Sequence, residues 1–184
     1  MAREGQFVSF AGNARKVLDT SLPLGHRVSA LRLCLWRYRP LGFQASFSFL
    51  QSMAGDFTRD PALLPDALEL LTASHAAWQA DLRAYGVLRQ HAKRVGYRVP
   101  HPSAPNPNKP SHWYGAPREA ALHAVWFWYS KGDSEDIDVH SLAVALIERG
   151  RFTEAQREIF DRVCAEPGNS RAIVRQMAVV VAHS

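Results

Sequence analysis

The side chains of this chain best suited to chemistry are arginines set among aromatic rings. Arg27, Arg32, Arg37 and Arg39 flank Trp36 and Tyr38, and Arg89, Lys93, Arg94 and Arg98 lead toward Lys109. A guanidinium is a planar fork of donors that matches phosphate oxygens in pairs, and a neighbouring ring offers a face on which a base stacks. These basic positions are the candidates for contact with nucleic acid or another acidic partner. Trp113, Tyr114 and Trp126 are the candidates for protein docking, because such rings join a large apolar body to a polar tip.

Other chemistry finds less support. The eight histidines form no HxxxH, HExxH or Cys/His cluster, so no zinc site is expected. His75 lies on an apolar helical stripe and His123 in a strongly apolar segment, so both read as core histidines. The acidic run Asp133–Asp138 lacks the central glycine and closing glutamate of a calcium loop, with Val144 at the closing position; it reads as a charged helix start. There is no GxGxxG and no GxxxxGK[ST] loop, so no nucleotide cradle is expected. Cys34 and Cys164 are far apart and belong to no CxxC pair, and they read as two buried free thiols in a reducing compartment. The expectation is a chain that is not an enzyme and carries no metal or cofactor.

Charge along the chain is segregated. Of the 22 Lys/Arg and 17 Asp/Glu, seven bases and two acids fall in residues 1–55, one and five in 56–81, seven and none in 82–118, and five and ten in 119–166. Like-charged blocks create fields that steer partners. With a pI near 9.6, the partners expected are nucleic acid, an anionic lipid surface or an acidic protein face. From Gly5 to Gly55 the only acid is Asp19, which has the character of a mitochondrial targeting segment, with a cytoplasmic location as the alternative. No apolar h-region opens the chain, and no apolar run approaches the ~18 residues of a membrane span.

The elements that would position these residues are mostly helices. Leu31, Leu33 and Leu35 alternate with Arg32, Cys34 and Trp36 as in a short strand, whereas Val28, Leu31 and Leu35 fit a helix, and the stretch is open between the two. Pro40 and Gly42 break the chain. Phe43, Phe47, Leu50 and Met53 or Ala54 repeat at helical spacing up to a stop at Gly55. Asp60-Pro61 opens the next element, with Pro65 in its first turn. Its stripe of Leu68, Leu71, His75, Trp78, Leu82, Tyr85, Leu88, Ala92 and Val95 predicts a long amphipathic helix, on the order of 45 Å. Gly86 is a candidate kink and Gly96 the end.

Residues 100–110 hold five prolines and predict a stiff extended arm, with linker and partner-binding roles both open. Pro117 begins a helix to Lys131 that is apolar nearly all round, hence buried or covered by a partner. Ser134, Glu135 and Asp136 start another helix that Gly150 ends, and Thr153 with Gln156 is a capping box for the next. Asn169 or Ser170 caps a last helix carrying Ile173, Val174, Met177, Val180 and Val181.

Residues 136–169 resemble a single tetratricopeptide or pentatricopeptide hairpin. Leu142 and Ala143 match its large–small pair, Leu146 a further core position, Gly150 the turn, Phe152 the aromatic opening the second helix, Ala155 the small contact residue and Pro167 the terminal proline. Arg162 stands where that family has a small residue, and no second copy precedes it. The resemblance implies one antiparallel hairpin in which small Ala143 and Ala155 let the helices approach.

The fold class expected is mostly α. Residues 1–59 form a basic segment with one helix, 60–99 the long helix, 100–116 the proline-rich arm and 117–184 a helical-hairpin bundle. The function expected is that of a non-catalytic accessory or scaffold subunit of a large assembly, partnered by other proteins and by RNA, such as an organellar ribosome. Alternatives are an accessory subunit of a mitochondrial respiratory complex and a small inhibitor or adaptor from a mobile element.

Overall fold

The computed structural model describes residues 9–98, 100, 107–132, 136–166 and 171–184. Outside them fall residues 1–8, which include the start of the acid-poor segment, residues 101–106 of the proline-rich arm, Asp133–Glu135 of the acidic run, the hairpin's Pro167 and the predicted caps Asn169 and Ser170. The described residues form α1 (Phe10–Leu18), α2 (Leu24–Arg37), α3 (Phe43–Ala54), α4 (Leu64–Arg94), α5 (Pro117–Ser130), α6 (Ile137–Arg149), α7 (Glu154–Ala165) and α8 (Ala172–Ala182). No strand occurs among them, and the fold is mostly α as expected.

The N-terminal segment holds three helices where the sequence predicts one. Ser9 caps α1, its hydroxyl accepting from the Gly12 amide at 3.1 Å. The stretch open between strand and helix is helical: Leu31 and Leu35, one turn apart, are fully buried, while Leu33 is 53% exposed. Burying one face every three to four residues satisfies the apolar pattern and closes the backbone hydrogen bonds internally. The chain leaves α2 at Tyr38, since Pro40 has no amide to continue the ladder.

Asp60 caps a 3-10 turn at Pro61–Leu63 through the Ala62 amide at 2.9 Å, and α4 follows with Pro65 in its first turn. Gly86 leaves α4 unbroken. The predicted stripe does not stay on one face. Leu64, Ala67, Leu68 and Leu71 are buried, but Leu88 and Val95 are more than half exposed. At about 100° per residue they lie roughly a third of a turn around the helix from Leu71. The line that faces the core upstream is occupied downstream by Arg89 and Lys93.

Two apolar clusters form, and α5 serves both. Ala120 and Ala124 belong to the cluster built by α1 to α4, and Ala121 and Val125 to the one built by α6 to α8. That is why its sequence is apolar nearly all round: it is buried between two parts of its own chain. Its small residues let it pack against α3 on one side and α8 on the other. Half-buried His123 ties it to α3, with Nε2 3.0 Å from Ser48 Oγ.

In the hairpin, Asp136 caps α6 by accepting from the Asp138 and Val139 amides, and Gly150 ends it in the left-handed region at φ 68°. Thr153 and Gln156 form the predicted capping box of α7. Leu142, Ala143, Leu146 and Phe152 are buried as expected. Ala155 is not: it is exposed, and Phe160 and Val163 make the buried side of α7 instead. Arg162 turns outward to Asp138 at 3.7 Å. Both cysteines are free, Cys34 buried and Cys164 exposed, so the expectation of two buried thiols holds for the first alone.

His75 supplies a pH dependence. Phe10 stacks on its ring at 4.0 Å, and burial holds the imidazole below its ordinary pKa of 6.5. Burial lowers His123 likewise. The unfolded chain therefore takes up these protons more readily than the folded one, so stability rises with pH. The contribution is complete above the unfolded value and is lost as pH falls through the depressed folded one. Thermal melts from about pH 7 to about pH 5 are expected to show a falling Tm, with a shallower fall in His75→Phe.

Candidate functional site: a basic groove

The described part of the arm is fastened to the fold. Trp78 Nε1 donates to the Pro107 carbonyl at 2.6 Å, and Gln176 Nε2 donates to the Ser111 carbonyl at 3.2 Å. Residues 107–109 form a turn and bend where the prolines predict an extended arm, and the Pro107 and Ser111 carbonyls take donors from α4 and α8. Trp113 is 4% exposed and packs edge-on to Phe49 at 5.2 Å. The Tyr114 amide donates to Ser74 Oγ at 2.8 Å and its hydroxyl to Asp81 Oδ2 at 2.7 Å. Trp113 and Tyr114, expected to dock a partner, dock their own chain. Trp126 of the docking set remains 48% exposed.

Where the arm crosses between the end of α2 and α8 it leaves a groove of about 750 Å³. Trp36 and Arg37 come from the last turn of α2, Arg39 and Gly42 from the α2–α3 connection, Lys109 from the arm, and Arg175 and Gln176 from α8. None of its lining residues is acidic. Arg37 follows from local chemistry, since a helix's carbonyl end favours a cation. Arg39 lies over the Trp36 ring at 4.5 Å, a cation–π contact that pre-sets the guanidinium beside an exposed indole. Among the described residues, Arg37, Arg39, Lys109 and Arg175 form no ion pair, the pairs being Arg59–Asp56, Arg162–Asp138 and Arg171–Asp136.

Gly42 sets the course of this wall. Its φ of 84° and ψ of 158° lie in a region open essentially to glycine alone. Gly42→Ala is expected to cost about 1–3 kcal/mol in chemical denaturation through backbone strain. The nearest atom to an added Cβ, Trp128 Cζ2 at 3.6 Å, is in ordinary contact, so strain and not a clash is the cause.

The remaining sequence candidates separate. Arg27 is 7% exposed and donates through Nε to the Val17 carbonyl at 2.8 Å; it joins α1 to α2 and is removed from the binding set. Arg32 sits over Phe47 at 5.1 Å and shares a shallow neighbouring pocket with Trp36. Arg89, Lys93, Arg94 and Arg98 are exposed on and just beyond the end of α4, beside Val87, Leu88, Val95 and Tyr97, all more than half exposed. Arg175 and Gln176 are new to the site. The apolar spacing of α8 marks position 175 as outward-facing, but no sequence signal tells which neighbours it meets.

The groove can bind charge but is poorly equipped to move protons. Arginine stays protonated throughout the physiological range. No group of three or more His, Cys, Asp or Glu able to hold a metal ion occurs among the described residues. Burial pushes the Tyr38 hydroxyl up to about 12, so it stays a protonated structural partner of Ser74. No described helix is long and apolar enough to cross a membrane. Comparison of the chain with protein families, with curated proteins and with solved structures found no match.

Proposed function

We propose that this protein is a non-catalytic RNA-binding accessory subunit of a ribonucleoprotein assembly, with the basic groove as its RNA contact. One observation carries the reading: Arg37, Arg39, Lys109 and Arg175, drawn from three distant stretches of the chain, converge on a concave wall that no carboxylate lines. Cations brought together without counter-charges repel one another, an arrangement that favours an anionic ligand. The half-exposed Trp36 beside them supports a ligand that carries bases as well as phosphates. A mitochondrial setting, such as an organellar ribosome, rests on the acid-poor N-terminal fifty residues.

The test is fluorescence anisotropy with labelled RNA over a salt series. Binding whose logarithm falls linearly with log salt, by about 0.7 per phosphate contact, supports the reading, and indifference to RNA at low salt removes it. The uncovered end of α4, with its apolar side chains, favours a second reading: a subunit held by protein contacts, as in a respiratory complex or as an adaptor. Association with cell-extract partners that survives both RNase and high salt distinguishes it.

A further inference from the structure

We propose that the free end of α4, residues 83–98, is a membrane-surface element that lies in the headgroup layer of an anionic bilayer. The buried residues of α4 run from Leu64 to Ser74, and beyond them Ala92 alone is buried. The last turns therefore stand clear of the core, yet they are not polar all round. Ala84, Val87, Leu88, His91 and Val95 recur at steps of three and four, which at about 100° per residue confines them to a sector of about 100°. That sector is turned away from the line of Leu71, so this second stripe belongs to the helix but not to the core. Val87, Leu88 and Val95 are each more than half exposed. Arg83, Arg89, Lys93 and Arg94 take the rest of the circumference; they are exposed and form no ion pair among the described residues. Gly96, at φ 89°, then turns the chain: its amide donates to the Lys93 carbonyl at 3.3 Å and the Tyr97 amide to the Ala92 carbonyl at 2.9 Å. Such a turn brings the residue after the glycine back toward the last helical turn, and the Tyr97 ring is also more than half exposed.

An exposed apolar stripe flanked by bases is the pattern of a helix that lies in a membrane interface. Its aliphatic side chains enter by about 5–10 Å, while lysine and arginine stems reach back to the phosphates. A tyrosine suits the same depth, with its ring at the acyl boundary and its hydroxyl among the headgroups. Charge selects the lipid. Residues 82–118 hold seven bases and no acid, so an anionic leaflet attracts this end, whereas pairing with a second copy would set two basic ends against each other. A protein occupant is less well served. Four apolar side chains on a projecting helix fall far short of the ~20–30 residues a side of a standard interface, and a bilayer demands no complementary shape. Since no described helix is long and apolar enough to cross a membrane, the attachment is to the surface.

The test is co-sedimentation of the full chain with vesicles of phosphatidylcholine alone and of phosphatidylcholine with about one-third phosphatidylglycerol. The mixed vesicles are expected to bind at least about tenfold tighter than the neutral ones, since each base near the surface gives about fivefold. Val87→Ser/Leu88→Gln, which leaves the charge unchanged, is expected to weaken that binding about tenfold, and Arg39→Glu/Arg175→Glu in the groove only a few-fold. Hydrogen exchange on the unsubstituted protein is expected to slow at residues 83–97 when mixed vesicles are added, a readout that does not depend on whether a variant folds. No binding to mixed vesicles at low salt overturns the proposal; an oligomer or an extract partner lost in Val87→Ser/Leu88→Gln would then assign the face to a second copy or to a protein. Binding that is lost with the groove pair but not with the α4 pair, or slowed exchange confined to the groove, also overturns it and makes the groove a general polyanion site. RNA anisotropy is measured without vesicles, so failure of the RNA reading and failure of this one are read separately.

Discussion

Tyr38→Ala is expected to lower stability by about 3–5 kcal/mol, the range for removing a large buried aromatic side chain. Tyr38 is fully buried where the end of α2, the middle of α4 and the arm meet. Its ring lies 5.4 Å from His75, 5.5 Å from Trp78 and 6.2 Å from Trp113. Truncation would leave a cavity bordered by three rings whose positions are fixed by other contacts. Trp78 is held by the Pro107 carbonyl and Trp113 by Phe49, so the site cannot collapse to recover contact. Against a total stability of about 5–15 kcal/mol for a domain, this is about a fifth or more of the whole.

Tyr38→Phe separates the ring from the hydroxyl. The phenol oxygen is 2.8 Å from Ser74 Oγ, which also accepts from the Tyr114 amide. Phenylalanine keeps the packing and removes one bond of that chain, at an expected cost of about 1 kcal/mol. Trp36→Ala, two residues away on the outward face, is expected to change stability little. Urea denaturation followed by circular dichroism ranks the three. A Tyr38→Ala cost no larger than that of Trp36→Ala would mean that the arm and α4 are not organised around this ring.

The contrast between Tyr38 and Trp36 shows what the sequence makes legible. The long helix, the Gly55 and Gly150 stops and the Thr153–Gln156 capping box are local, because each depends on residues within one turn of one another. The strand-or-helix ambiguity at Leu31–Leu35 is not local, since alternation and helical spacing coincide over so short a run, and burial of Leu31 and Leu35 against other elements decides it. Trp113 and Tyr114 look like docking residues because a proline-rich stretch has no pattern that reveals what it lies against. The apolar perimeter of α5 announces burial, but only the packed structure identifies its cover as two clusters of the same chain. The basic groove is the least legible feature. Arg39, Lys109 and Arg175 lie in three separate segments, and only the path of the arm between α2 and α8 brings them together.

Reversing two of those charges, in Arg39→Glu/Arg175→Glu, is expected to weaken RNA binding about 100-fold or more. Each lost charge-assisted contact accounts for about tenfold, and the two carboxylates add repulsion of the strand. The same variant is expected to flatten the dependence of log affinity on log salt by about 1.4, the share of two phosphate contacts to a single strand. That change of slope distinguishes loss of contact from a general loss of active protein, which lowers the apparent binding without altering its salt dependence. Both arginines are exposed and neither forms an ion pair among the described residues, so circular dichroism should be unchanged. The matching control is Arg89→Glu/Arg94→Glu on the free end of α4, which alters net charge identically and is expected to lower affinity only a few-fold through the weakened long-range field. If the α4 pair costs as much as the groove pair, binding follows net charge alone and the groove has no privileged role. If it costs more, the RNA lies along α4, and the aromatic face beside it is Tyr97 instead of Trp36.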